Sequence, residues 1–183
     1  DGRAVFVRGA IPGDRVRARL DEAKPRFARA TAVAVLEPAD GRVEPGCVHV
    51  AEGCGGCGWQ HVDVRTQRRL KSRIVADALT RIGRLDAAGL PELDGGPDLA
   101  ATAYRTTVRA AVAAGGRLGL RARHAQDVVP FGDAGCPVAH PLVDGVLRTA
   151  AFPDAAPGTE VQVRAGARTG EVAVDGTVHE VVA

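Results

Sequence analysis

Apolar and polar residues alternate over the first forty positions of the chain. Arg15-Val16-Arg17-Ala18-Arg19-Leu20 repeats with period two, which puts Val16, Ala18 and Leu20 on one face and three arginines on the other. Before it, Arg3-Ala4-Val5-Phe6-Val7 is a short β-prone run, closed by the turn cluster Gly9-Ala10-Ile11-Pro12-Gly13-Asp14. Lys24-Pro25-Arg26 breaks the second run, and Phe27 to Leu36 forms a third, ended by Glu37-Pro38. Short strands at this spacing predict a small barrel, apolar inside, with Arg15, Arg17 and Arg19 facing out.

The period changes after an irregular, Gly-rich stretch over 41–61. From Val64 to Ile82, Leu70, Ile74, Ala78 and Ile82 recur at helical spacing, with Val75 and Leu79 beside them. Asp63 suits the N-cap and Gly83 the left-handed stop. The stripe is expected to pack into a core, with Arg65, Arg68, Arg69 and Arg73 on the remaining surface. Residues 85–98 read as an acidic loop.

Period two returns at Tyr104–Ala113 and Leu118–Ala122, joined by Ala114-Gly115-Gly116. A three-residue loop ending on glycine sets the register: Val112 faces Leu118, Ala110 faces Leu120, and Arg109 faces Arg121, with Arg105 and Arg123 on the same side. A two-residue loop would mix arginine with leucine on each face. Like charges directly opposite destabilise a sheet, so an arginine-lined face is easiest to rationalise with an anion over it. A second hairpin is expected over Glu171–Val182, turning at Asp175-Gly176.

Composition narrows the possibilities. The chain has 183 residues with no Met, one Trp, one Tyr and four Phe, so Val, Leu, Ile and Ala must build any core. No run approaches the ~20 apolar residues of a membrane helix. Formal net charge is only +2, but it is unevenly spread. Residues 65–84 hold seven basic groups and one acid, 99–124 hold five arginines and no acid, and 125–183 hold three basic groups and eight acids. Basic blocks inside a near-neutral chain suggest a polyanion-binding surface.

The four cysteines are Cys47, Cys54, Cys57 and Cys136. Three fall within one Gly-rich window as C-x6-C-x2-C, and the fourth is remote and followed by Pro137. Thiolates at x2 spacing in a glycine turn can face one inorganic centre, and the backbone there offers N–H groups to sulfur. A disulfide set or a Cys54/Cys57 redox pair is a poorer match, since nothing suggests secretion and too many cysteines cluster. Zinc and an iron–sulfur cluster both fit. Spacing leans to the cluster, because zinc sites usually pair two knuckles and Cys136 has no neighbouring cysteine.

Cys54-Gly-Gly-Cys57-Gly-Trp-Gln60-His61, followed by Gln67 and Lys71, resembles the signature of the TRAM-containing RNA uracil-C5-methyltransferases. Phe6-Val7 through Ile11-Pro12-Gly13-Asp14-Arg15-Val16 resembles the TRAM stretch. Arg42-Val43-Glu44-Pro45, Tyr104-Arg105, Leu118-Gly119 and Cys136-Pro137 match further family positions in order. Cys47 and Cys54 stand one residue further apart than the family pattern.

The resemblance implies an α+β chain: a truncated OB-like TRAM β-barrel over 1–40, then a central domain over 41–183 with helix 64–82 and hairpin 104–122. It implies a 4Fe–4S cluster on Cys47, Cys54, Cys57 and Cys136. It also implies that S-adenosylmethionine, its Rossmann-like domain and the catalytic nucleophile lie outside this chain, so no cysteine here is that nucleophile. The family's reaction adds a thiolate to C6 of uridine, transfers a methyl to C5 and removes the C5 proton.

The expected partner is structured RNA, ribosomal rather than transfer, bound by a cytoplasmic monomer without membrane contact. Expected RNA contacts are Lys24 and Arg26 at a barrel loop, Gln60 and His61 after the CxxC, and Arg105, Arg109 and Arg121 on the hairpin. Trp59 is expected to pack over the cluster. The alternative reading is a free-standing zinc-binding RNA module without catalysis.

Overall fold

A computed structural model describes residues 2–93, 96–97, 99–174 and 177–180. The chain divides into two compact units, Asp1–Glu44 with His61–Gly95, and Pro45–Gln60 with Gly96–Ala183. The cysteine loop therefore belongs to the second unit, although the segments on both sides of it belong to the first.

In the first unit the alternating runs form β1 (Ala4–Arg8), β2 (Arg15–Ala23) and β3 (Phe27–Glu37). They make one sheet of order β1-β3-β2, with β1 parallel and β2 antiparallel to β3. Three strands do not close a barrel among the described residues. The β2–β3 register shifts at three points. Ala28 and Ala30 of β3 are buried, while Leu20, expected inside, stands opposite Ala30 yet is 58% exposed.

A buried ion pair fixes the turn before β2. Asp14, its side chain fully enclosed, accepts from the Ile11 and Ala39 amides at 2.8 and 2.9 Å. It also accepts from Arg42 Nε at 3.0 Å and Nη2 at 2.5 Å. Arg42 reaches on to the Gly9 carbonyl at 2.7 Å. One carboxylate thus joins the turn after β1 to the segment after β3, and the Arg42 hydrogen bond holds its pKa far below the ordinary 3.8.

Helix α1 runs Val64–Arg81, and Asp63 accepts from the Thr66 amide as its N-cap. Its end differs from expectation. The left-handed residue is Arg84, not Gly83. Gly83 is needed for space instead: a Cβ there would stand 2.6 Å from the Leu79 carbonyl oxygen. The apolar stripe is also not core, for Ile74 is 55% and Ile82 78% exposed. Helical periodicity reports one apolar face but not what covers it.

The second unit is an antiparallel sheet of order β6-β5-β4-β7-β8-β9. Its strands are β4 (Thr107–Val112), β5 (Leu118–Arg121), β6 (Val128–Pro130), β7 (Glu160–Ala165), β8 (Glu171–Val174) and β9 (Thr177–Glu180). The β4–β5 hairpin starts in the expected register, with Val112 opposite Leu118 and both Gly115 and Gly116 at positive φ. Its pairing ends at Ala111 and Gly119, so the expected Ala110–Leu120 and Arg109–Arg121 pairs do not form and Arg109 stands opposite Gln162 of β7. β8 and β9 pair as the second hairpin, while Asp175, Gly176 and the end of its expected span, 181–183, lie outside the described residues. Helix α2 (Pro141–Thr149) packs on this sheet. Val143 and Leu147 from α2, Phe131, Leu118, and Val112, Val161 and Val163 of the strands form its core.

Replacing Asp14 with Ala would leave Arg42 and two amides unpaired inside the turn, which should cost about 3–5 kcal/mol, measured by urea unfolding. Because the folded pKa is depressed, this stability is present above pH 3.8 and is lost as pH falls below it. The gap between wild type and Asp14→Asn should therefore narrow in acid. A gap independent of pH would refute the assignment.

Candidate metal centre and nucleic-acid interface

β5 begins as the partner of β4 but does not finish as one. The β4–β5 ladder stops at Ala111 and Gly119, and beyond it the cysteine loop becomes the neighbour. Cys54 bridges Ala122, the Gly55 amide donates to the Arg121 carbonyl at 3.0 Å, and the Arg123 amide donates to Gly53 at 2.8 Å. Gly55 permits this approach, since a Cβ there would stand 2.7 Å from the Arg121 oxygen.

Two further contacts bring the remote cysteine to the same place. His49, buried inside the loop, pairs through Nδ1 with Glu52 at 2.8 Å and through Nε2 with the Gly135 carbonyl at 3.0 Å. On the other side, the Cys136 amide donates to Asp144 of α2 at 2.6 Å. Gly135 sits at φ 64°, where a Cβ would fall 2.4 Å from the same carboxylate. Arg105 joins the two segments again. Its amide donates to Val138 at 2.8 Å, and its guanidinium donates to the Gly56 carbonyl at 3.2 Å.

The result is a tight cavity of about 10 Å³ lined by Cys47, Cys54, Cys57 and Cys136. Leu120, Phe131 and Val138 supply apolar wall, and Gln60 is at its edge. Phe131, not Trp59, is the aromatic lining residue. As the side chains stand, no three His, Cys, Asp or Glu groups among the described residues are gathered around a point where one ion would sit.

Burial pushes the Cys54 thiol up, and Cys47 and Cys57 push it further, against the Gly56 amide and the Arg123 charge. Cys136 is also raised by burial first, against the amides of Val138 and Ala139 and the charge of Arg105. The Gly56 amide lies 3.5 Å from Cys54 Sγ. Arg123 Nη2 donates to the Cys57 carbonyl at 3.0 Å. The donor set fits an inorganic centre bound by thiolates: four sulfurs, amide donors to sulfur, apolar walls and two cations to offset negative charge.

On the opposite side of the loop glycines is a second feature, a cleft of about 440 Å³ in the fork where β5 leaves β4. Arg109, Arg121, Arg123 and His124 line it over a floor of Ala110, Ala111 and Leu120, with Glu160 as the lining acid. Arg121 is braced by the Gly158 carbonyl at 3.0 Å and by Gln126 at 2.9 Å. Arg109 is exposed.

Of the other residues singled out in the sequence, Arg105 stands at the cysteine loop and not in the cleft. Lys24 and Arg26 are exposed in the first unit, and His61 accepts there from the Val43 amide. Arg123, His49 and Asp144 were not singled out as site residues. Only the alternation of Arg121 and Arg123 hinted at one of them, and none lies next to its partner in sequence.

Residues 1–33 match the TRAM domain. The chain is 40% identical over 142 residues to an uncharacterized RNA methyltransferase of Streptomyces coelicolor, covering 72% of this chain and 31% of the relative. It is 37% identical over 147 residues to the 23S rRNA (uracil(1939)-C(5))-methyltransferase RlmD of Aeromonas hydrophila, covering 77% of this chain and 32% of that protein. The chain thus spans about a third of the length of these relatives. In fold it is similar to the Pyrococcus abyssi tRNA (uracil-54, C5)-methyltransferase, crystallised with S-adenosyl-L-homocysteine. The TM-score is 0.60 at 21% identity, over 93% of this chain and 40% of that one. The N-terminal match and these relatives agree: over 72–77% of its length the chain is similar to RNA methyltransferases, and its first 33 residues match the TRAM domain.

Proposed function

We propose that this chain is the RNA-recognition and cluster-holding part of an S-adenosylmethionine-dependent RNA uridine-C5 methyltransferase, acting on ribosomal RNA. The observation that carries the reading is the single cavity walled by four cysteines from two distant segments. Cys47, Cys54, Cys57 and Cys136 would hold a 4Fe–4S cluster. Once bound, it would supply a rigid, multiply charged crosslink between the cysteine loop and the turn before α2. Zinc sites usually pair two Cys-x2–4-Cys knuckles, and Cys136 has no neighbouring cysteine, which favours a cluster that spreads its ligands over several metals. The 23S rRNA relative supports ribosomal RNA over transfer RNA as substrate.

The chain's own groups favour holding over reacting. A catalytic thiol is exposed and shifted down, but Cys54 and Cys136 are buried and shifted up. Methyl transfer and its nucleophile are therefore assigned outside these residues. Arg109, Arg121 and Arg123 would take the RNA backbone in the cleft, giving affinity and salt sensitivity without reading sequence. Arg123 also touches the cysteine loop, so RNA and cluster would share one wall. Gln60 and His61 after the CxxC, and Lys24 and Arg26 in the first unit, extend the proposed contact surface.

Anaerobically purified protein should be brown, with about four irons and four sulfides per chain. Serine at any of the four cysteine positions should lower both. A colourless protein with one zinc would overturn the cluster assignment.

For RNA, the logarithm of the association constant should fall linearly with the logarithm of salt. Arg109→Ala should reduce the slope by about 0.7, the value for one phosphate of a single strand. A salt-independent affinity, or an unchanged slope in Arg109→Ala, would remove the cleft from the interface.

A further inference from the structure

The outward face of the first unit's sheet carries an aromatic that the fold does not use. In β1, Ala4, Phe6 and Arg8 stand opposite Phe27, Arg29 and Thr31 of β3, so these side chains share one face. Val5 and Val7 take the other face, with buried Ala28 and Ala30. Phe6 contributes almost nothing to the core and is 63% exposed. Its ring meets that of Phe27 edge-on, at 6.1 Å and 69°.

Phe27 is differently placed. The Arg29 guanidinium lies 5.4 Å and the Lys24 ammonium 6.0 Å from its ring centre. Glu22 holds both cations, at 3.2 and 3.0 Å. Phe27 thus acts as a braced post, its ring engaged by Phe6 and two cations, while the ring of Phe6 stays open to solvent. Beside it is a cleft of about 560 Å³ whose lining includes Phe6, Arg8, Arg19, Asp21, Glu22 and Arg29. Asp21 accepts from Thr31 Oγ1 at 2.6 Å and from Arg19 at 3.2 Å, so it orients Arg19 along the cleft.

An exposed apolar side chain standing alone needs no explanation. This one is an aromatic ring bordered by Arg8, Arg19 and Arg29. Every nucleobase has a π-face, and every nucleotide adds a phosphate within reach of a neighbouring cation. We propose that Phe6 is a stacking platform for one unpaired base of single-stranded RNA, whose flanking phosphates lie on Arg8, Arg19 and Arg29. The inference rests on the RNA reading above and adds a base-contacting residue in a different unit from the arginine cleft. The charged side chains of the cleft are three arginines against Asp21 and Glu22, and Lys24 joins Glu22 beside it, so the balance around the ring is positive, which suits a polyanion better than a basic partner.

The test uses the whole chain and two labelled probes: a short oligouridylate, and the same sugar–phosphate chain with abasic sites. Wild type should prefer the base-bearing probe. Phe6→Ala should weaken oligouridylate binding about 5- to 100-fold, the range of one base–aromatic stack, and should leave the abasic probe unchanged. Phe6→Tyr and Phe6→Trp should restore the preference. Thermal melts should match wild type, given the exposure of the ring.

Retained preference in Phe6→Ala would overturn the proposal, as would equal loss on both probes. So would a change in self-association with RNA affinity intact, which would make Phe6 a protein contact. If Arg109→Ala weakens RNA binding while Phe6→Ala does not, only this inference falls. If the wild-type chain binds neither probe, the RNA reading falls with it.

Discussion

The second unit depends on one exchange of hydrogen-bond partners. A β-strand must satisfy its amides and carbonyls, and the end of β5 does so with the cysteine loop rather than with β4. That exchange places Cys54 and Cys57 against the core side of the sheet and opens a fork on the other side. The cysteine cavity and the arginine cleft are two consequences of the same change. Gly55 and Gly56 stand between them because no larger residue fits against Arg121 and Leu120.

Several weak contacts, each about 1 kcal/mol net, set the position of the remote Cys136. His49 holds the carbonyl before it, Asp144 its amide, and Arg105 the turn that follows. None is a metal ligand. Together they restrict a turn whose left-handed glycine would otherwise leave it free to swing. Arg105 and Arg123 also carry charge to the rim of a site where thiolates would accumulate the opposite sign. Arginines in this unit accordingly divide into two groups, those whose guanidinium is occupied by loop carbonyls and those, such as Arg109, that face solvent.

The first unit shows the same economy of structure in a smaller space. Asp14 and Arg42 join the chain before β2 to the chain after β3 through one buried pair. Burying the pair is tolerable because both amides and both guanidinium edges find partners. With that turn held, the sheet needs little core, which agrees with how few of its side chains are enclosed. Its outward face is then free to carry Phe6, Arg8 and Arg29.

Local signals were legible in the sequence because they act over a few residues. The three early strands, the Asp63 cap and the Val112–Leu118 register follow from alternation, capping and turn chemistry, and the structure has them. The cysteine spacing suggested that the thiols share one place, and the four cysteines line one cavity. What tertiary structure alone decided depends on neighbours distant in the chain. The exposure of Leu20, the uncovered stripe of α1, and the assignment of Arg105 to the loop and Arg109 to the cleft are of this kind. So are the roles of His49 and Asp144. Periodicity tells which side chains share a face, but burial and pairing are properties of whatever comes to lie against that face, and no local pattern encodes that.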